Sequence, residues 1–190
     1  MKHKVKYQLN DEDGIKRTIT RLAFEIIEDN RGSSQLALIG IRTRGVPLAE
    51  RLAKIIADID KNPEIPIGVL DITLYRDDFM TAFTMPEVKG SEIPFNVQGK
   101  TIILVDDVLY TGRTVRSAID AIMDYGRPEK IRLAILIDRG HREMPIQGDF
   151  VGRKVITSPG EEVVVRLKET DGVDEVVVVE KCINKEENIT

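Results

Sequence analysis

The residues in this chain best suited to chemistry are two adjacent aspartates followed by a short glycine turn. They stand in the string Asp106-Asp107-Val108-Leu109-Tyr110-Thr111-Gly112-Arg113-Thr114. Thr111 and Thr114 supply hydroxyl donors, and Gly112 lets backbone N–H groups come close to a bound anion. Paired carboxylates accept hydrogen bonds from ribose hydroxyls or hold a hydrated magnesium ion. One phosphate cradle beside one diol-binding pair describes a ribose 5-phosphate site. The string is neither a Walker A loop nor a GxGxxG fingerprint, because the required lysine and glycine spacing are missing. A second candidate is Arg42-Thr43-Arg44-Gly45, where the planar fork of Arg44 suits two oxygens of a diphosphate. The third is Asp138-Arg139-Gly140-His141-Arg142-Glu143-Met144-Pro145-Ile146. A lone histidine in such a loop is more often solvated or structural than catalytic.

Each candidate follows an apolar run that must position it. Four aliphatics at 102–105 read as a strand buried on both faces, as in a parallel sheet. An amphipathic helix is expected over 115–125, stopped by Gly126 and Pro128, and a further strand over 131–137 completes a βαβ unit. Residues 36–41 are the strand before the Arg42–Gly45 turn, with Pro47 at the start of a helix over 48–59. In open α/β sheets ligands collect at the carboxyl ends of neighbouring strands, so these loops face one crevice.

Earlier in the chain, Ile15, Ile19, Leu22, Ala23, Ile26 and Ile27 keep a helical period, with Asn10 or Asp11 as cap and Gly32 near the stop. The opposite face carries Lys16, Arg17, Thr20 and Arg21, a pattern that is usually only solvated. Residues 65–73 are expected as a strand. Residues 74–96 have no sustained period and read as a lid loop, with Arg76 as its cation for a departing diphosphate. The segments 152–156, 163–167 and 176–179 read as sheet-edge additions and a small cap, and 185–190 as a frayed tail. The expected architecture is a single α/β domain: an open, mainly parallel twisted sheet flanked by helices, with a small cap and a mobile lid, its ordered core at about 10–180.

Composition narrows the partners. The chain has 190 residues, 42% hydrophobic and 32% charged, which fits one ordinary globular domain. A net charge of −4 gives no global basic field, so RNA must use a local patch, and DNA is not an expected partner. Cys182 is the only cysteine, so an internal disulfide is excluded. There is no 18-residue apolar run and no signal-peptide-like apolar core after Met1-Lys2-His3-Lys4-Val5-Lys6, so a cytoplasmic protein with no membrane contact is expected.

The Asp106–Thr114 string resembles the phosphoribosyl-diphosphate (PRPP) signature of type I phosphoribosyltransferases. Together with Arg42-Thr43-Arg44-Gly45, Asp71-Ile72-Thr73-Leu74-Tyr75-Arg76-Asp77-Asp78 and Asp138-Arg139-Gly140-His141-Arg142-Glu143, it is similar to the PyrR family. These are pyrimidine operon RNA-binding attenuation proteins that are also uracil phosphoribosyltransferases. The resemblance covers about residues 10–180 and implies a type I phosphoribosyltransferase-like fold. It also implies a magnesium-dependent conversion of uracil and PRPP to UMP and diphosphate. In that reading Tyr110, Thr111, Gly112, Arg113 and Thr114 hold the 5-phosphate, with Val108 and Leu109 leading into that loop. Asp106 and Asp107 take the ribose hydroxyls and the magnesium ion, through PRPP and waters. Thr43 and Arg44 take the diphosphate, in a loop that often carries a non-proline cis peptide, and Arg76 closes over it. Arg139, Met144 and Ile146 border uracil.

The implied regulatory role needs a basic surface for pyr operon leader RNA. Its candidates are Arg17, Thr20, Arg21, Arg42, His141, Arg142, Arg153 and Lys154, with UMP or UTP as effector and a homodimer or larger homo-oligomer as the assembly. Many family members have Ala-His-Glu in the first helix, where this chain has Ala23-Phe24-Glu25. That departure keeps a salvage uracil phosphoribosyltransferase without RNA function as the alternative. A purely RNA-binding protein with a vestigial site is opposed by the intact Asp-Asp…Thr-Gly-Arg-Thr string.

Overall fold

The computed structural model describes residues 3–61, 64–73 and 90–181. Five strands, β2 (Leu36–Ile41), β3 (Ile67–Leu70), β4 (Thr101–Leu109), β5 (Lys130–Asp138) and β6 (Phe150–Lys154), form a sheet in the order β3-β2-β4-β5-β6. Every neighbouring pair in it is parallel. Helices cover both faces, and the side-chain alternation of the strands assigns each residue to a side. Leu36, Leu38, Ile103 and Val105 meet α1 (Glu12–Asn30) and α2 (Gly45–Asp60), whereas Ala37, Ile39, Ile41, Ile102 and Leu104 meet α3 (Arg113–Met123).

A second, antiparallel sheet joins β1 (His3–Asn10), β8 (Glu175–Lys181) and β7 (Glu161–Arg166) in the order β1-β8-β7. A short helix, α4 (Lys168–Asp171), connects β7 to β8. Val163, Val165, Leu167, Val176 and Val178 of this cap pack into the same core as α1 and α2.

Local chemistry sets the element boundaries. Of the two possible caps of α1, Asp11 is used: its side chain accepts the Gly14 N–H at 2.8 Å. The helix ends with Arg31 at φ 54° and Gly32 at φ 114°, whose N–H groups bond the Glu28 and Ile27 carbonyls. The strand expected over 65–73 is confined to 67–70, because Asp71 turns the chain by accepting from both the N–H and the hydroxyl of Thr73. β4 runs further than its aliphatic residues, through both aspartates to Leu109, held by pairing with β5 as far as Asp138. The α2 and α3 helices begin earlier than expected, at Gly45 and Arg113.

The segment read as a lid splits in two. Residues 74–89, with Arg76, lie outside the described residues, as does the tail at 185–190. The rest is tied to the sheet: Glu92 bridges Val69, and Ile93 and Phe95 pack on the α3-side core. No helix among the described residues is long and apolar enough to cross a membrane.

Candidate active site

The carboxyl ends of β2, β3 and β4 open into a crevice of about 610 Å³. Its walls include Arg42, Thr43, Asp71, Thr73, Asp106, Asp107, Val108 and Thr114, with Glu169 and Thr170 contributed by the cap.

Asp106 is buried at the end of β4, only 7% exposed, and Asp107 beside it is half-buried. The Asp107 N–H donates to Asp106 Oδ1 at 2.9 Å, and the Val108 N–H to Asp107 Oδ1 at 2.8 Å. Burial, and then the charge of Asp107, push the Asp106 carboxyl well above its ordinary range. Burial raises Asp107 as well, against the opposing charge of Arg44. Two carboxyls that resist ionisation together suit partners that reward the charged form, such as a pair of ribose hydroxyls or a divalent cation.

Five residues on, Gly112 adopts φ 92° as the N-cap of α3 and brings no side-chain acceptor, while Thr111 Oγ1 accepts the Arg113 N–H at 3.4 Å. The first-turn N–H groups, the helix dipole and the Thr114 hydroxyl therefore form an anion cradle at the crevice wall. A Cβ on Gly112 would stand 3.1 Å from Met144 Cβ and 3.5 Å from Ile146 Cβ. The loop at 144–146 thus lies directly on the glycine turn at 112.

At β2 the Arg42–Thr43 peptide is cis, and Arg42 and Thr43 face the crevice. Arg44 is turned to the cap, where its Nε and Nη2 donate to the two carboxylate oxygens of Asp171 at 3.0 and 2.7 Å. The close approach of this loop to the aspartates depends on glycine. A Cβ on Gly45 would lie 2.3 Å from the Val105 carbonyl oxygen, and one on Gly40 would lie 2.5 Å from the Gly45 carbonyl oxygen.

The candidates beyond β5 are arranged differently from each other. Arg139 is buried; it donates to Thr157 Oγ1 and the Glu161 carbonyl, and its guanidinium carbon sits 4.0 Å from the Tyr110 ring centroid. It stands behind Tyr110, while Met144 and Ile146 lie against Gly112. Arg113 pairs with Glu143 of the base-side loop at 2.7 Å.

Most of the proposed RNA-contacting residues collect on one flank. Arg17, Thr20 and Arg21 share the outer face of α1, and Arg21 donates to the Val151 and Gly152 carbonyls of β6. On β6 itself Arg153 donates to the Leu9 carbonyl, and Lys154 borders a 500 Å³ cavity together with His141. Phe24 is 55% exposed within the α1 patch. Arg42 is a correction to that grouping. It lines the crevice on β2, three strand spacings from β6, roughly 14 Å at the usual spacing. Arg142 borders the same cavity as His141 and Lys154, with its guanidinium bonded to the protein's own carbonyls and to Asp138.

Sequence reading gave no site role to three parts of the site. Asp71 and Thr73 form a wall through their own turn. Glu169 and Thr170 come from a cap whose docking no local pattern announces. Gly40 is the third, hidden because its partner is backbone.

Comparison with known proteins agrees with this geometry. Residues 7–170 match the family model described as phosphoribosyl transferase domain. The bifunctional protein PyrR of Pelotomaculum thermopropionicum is 61% identical over 175 residues, 92% of this chain and 96% of that protein. Its counterpart in Thermus aquaticus is 53% identical over 176 residues, covering 93% and 97%. Among solved structures, a hypoxanthine-guanine phosphoribosyltransferase of Bacillus anthracis matches at TM-score 0.69 with 18% identity, covering 94% of this chain and 99% of that one. The Trypanosoma cruzi hypoxanthine phosphoribosyltransferase reaches TM-score 0.72 at 18% identity, covering 93% and 96%. The fold, a five-stranded parallel sheet with a small antiparallel cap sheet, is that of the type I phosphoribosyltransferases.

Proposed function

Because the chain belongs to the phosphoribosyl transferase domain family, and within it to the PyrR proteins, we propose that it makes UMP from uracil and PRPP and couples that site to pyr mRNA. The observation that carries the transferase reading is the meeting of the glycine-capped α3 N-terminus with Asp106 and Asp107 in one crevice. The cradle from Tyr110 to Thr114 takes the 5-phosphate, and Asp106 and Asp107 accept hydrogen bonds from the ribose diol. Thr43, and Arg44 once freed from Asp171, serve the diphosphate side. Met144 and Ile146 wall the uracil side, with Arg139 holding Tyr110 in place. In the reaction the bond from C1′ to the diphosphate oxygen breaks, the bond from uracil N1 to C1′ forms, and the N1 proton passes to the leaving diphosphate or to water. Such a transfer calls for positioning and charge neutralisation more than for a strong base, and no His or Cys nucleophile is needed.

The donor set also fits a magnesium ion, since two adjacent carboxylates raised by burial gain from a divalent cation nearby. Asp106 and Asp107 would hold it through PRPP and water, and when bound it neutralises the charge of the diphosphate. The test is Asp107→Asn, assayed for UMP formation with the melting curve as a check on folding. A loss of at least about 100-fold is expected; wild-type turnover would remove the aspartate pair from the site.

For regulation, pyr leader RNA lies along Arg17, Thr20, Arg21, Arg153, Lys154 and His141, in the cytoplasm and on a dimer or larger homo-oligomer. The rival reading, a salvage enzyme without RNA function, draws on Glu25 and Glu28, which flank exposed Phe24 in that patch. A gel-shift titration with leader RNA, with and without UMP, separates the two. UMP-strengthened binding supports the regulator, because nucleotide site and RNA face are then coupled. No binding at low salt by an active preparation leaves the salvage enzyme.

A further inference from the structure

The side chain of Arg142 reaches four backbone carbonyls and one carboxylate. Its Nε donates to the Ile146 carbonyl at 2.9 Å, and Nη1 donates to those of Tyr110 and Gly140 at 2.8 and 3.1 Å, with Leu109 at 3.4 Å. Its Nη2 meets Asp138 Oδ1 at 2.6 Å. Tyr110 belongs to the phosphate loop, Gly140 and Ile146 to the base-side loop, and Asp138 closes β5. One guanidinium therefore fastens together the two loops that must hold opposite ends of one nucleotide. Two further bonds run the same way, from the N–H groups of Glu143 and Met144 to the Thr111 carbonyl.

We propose that Arg142 is a positioning residue for the transferase, setting the spacing between the 5-phosphate cradle and the uracil wall, and that it is not an RNA contact. The inference rests on the uracil phosphoribosyltransferase reading. In UMP one ribose and a few torsions bound the distance from phosphate to base, so a loop pair outside that range cannot hold both ends. Mispositioning by about 1 Å is enough to cost a large factor in rate. Only a planar fork with five N–H donors serves so many acceptors at fixed angles; a lysine offers three donors from a single point. The pair also explains Asp138. Burial alone would raise its carboxyl, but the hydrogen bonds from Arg142 and the Gly140 N–H hold it below the ordinary value. PRPP keeps its own anchors in the α3 N-terminus and the aspartates, so loss of Arg142 should fall on uracil.

The experiment compares the full-length wild type with Arg142→Lys, Arg142→Met and Asp138→Asn. Michaelis constants are measured for each substrate and a thermal melt is run on each variant. For both Arg142 variants we expect the KM for uracil to rise at least about tenfold while that for PRPP stays within about threefold. Asp138→Asn, which keeps the fork but loosens it, should shift the uracil KM in the same direction by less. It keeps the test open should an Arg142 variant fail to fold. An unchanged uracil KM, an equal rise in both constants, or full rescue by lysine would overturn the proposal. In RNA titrations over a salt series, Arg142→Met should leave the slope of log affinity unchanged. A slope smaller by about 0.7–0.9 would mean that Arg142 neutralises a phosphate after all. A wild-type protein that makes no UMP would defeat the transferase reading first, and this role with it. An active wild type with indifferent variants would defeat Arg142 alone.

Discussion

Replacing Gly45 by alanine tests how tightly the diphosphate-side loop is locked to the aspartate strand. The new Cβ would lie 2.3 Å from the Val105 carbonyl oxygen and 3.3 Å from Asp106 Cα, where ordinary contact begins at 3.4 Å. The first of these gaps is short by about 1.1 Å, the difference between 3.4 and 2.3 Å. Both partners are backbone inside a packed sheet, so neither can swing aside as a side chain would. The α2 N-terminus must retreat from β4, and Thr43 and Arg44 go with it. Forced overpacking of this kind costs about 1–3 kcal/mol. For a chain of this size each kcal/mol lowers the melting temperature by roughly 2–4 °C, so a fall of about 2–12 °C is expected. A shift of about 1 Å between groups that must grip one substrate costs about 100-fold in turnover. The assay is a thermal melt together with UMP formation from uracil and PRPP. Gly160→Ala is the control, since a Cβ there meets nothing within 4 Å and the change should stay within about 0.5 kcal/mol. A Gly45→Ala protein with the wild-type melt and full turnover would refute the lock.

Two further substitutions probe the charges around the crevice. Asp106→Asn should stabilise the free protein. A carboxyl raised above its ordinary 3.8 keeps its proton longer when folded than when unfolded, so stability falls as pH climbs through that window. The variant should melt higher than wild type at about pH 8, with the gap closing below about pH 4, and should lose turnover at least about 100-fold. A lower melting temperature at the higher pH would contradict the burial account. Arg51→Ala should loosen the cap, because Arg51 bonds both Glu169 and Asp174, and Asp174 is 9% exposed. Losing hydrogen bonds to charged groups there costs about 2 kcal/mol. Burial alone would raise the Asp174 carboxyl, but Arg51 holds it low, so this contribution is present above 3.8 and lost as pH falls through the lowered value. Melts of variant and wild type that do not converge in acid would remove the charge pair from the account.

The sequence was most informative where one physical signal acts alone. Continuous aliphatic runs announced β2, β4 and β5, and the ordered string at Asp106–Thr114 announced strand, cradle and helix in one stretch. Residues that owe their role to a distant partner were harder to read. Val5, Tyr7 and Leu9 alternate as a strand should, yet three lysines between Met1 and Lys6 masked β1, whose partner is the far end of the chain. Asp71 ends β3 through a two-residue turn with Thr73, a short signal that the aliphatic run before it outweighed. Arg44 reads as a free diphosphate ligand until the cap brings Asp171 to it. Arg142 is the sharpest case. As a composition it is a basic residue in an exposed loop, and only its five acceptors show what its charge is used for.

The crevice poses one electrostatic problem, and its solution bears on the proposed chemistry. PRPP is a polyanion, yet among the described residues lining the crevice five are carboxylic acids, Glu50, Asp71, Asp106, Asp107 and Glu169, against one cation, Arg42. Arg44, whose charge acts on Asp107, is already clasped by Asp171. Burial raises both carboxyls, and the charge of Asp107 adds to the rise at Asp106, so the pair is held against ionisation before any ligand arrives. Backbone N–H groups at the α3 N-terminus offset one phosphate, but they do nothing for the diphosphate at the other end of the ribose. A polyanion is therefore admitted only in company with positive charge, either released from the cap at Arg44 or carried in as divalent cations. On the proposed reading, the acids of the crevice would favour a substrate that arrives with a divalent cation over a bare phosphate.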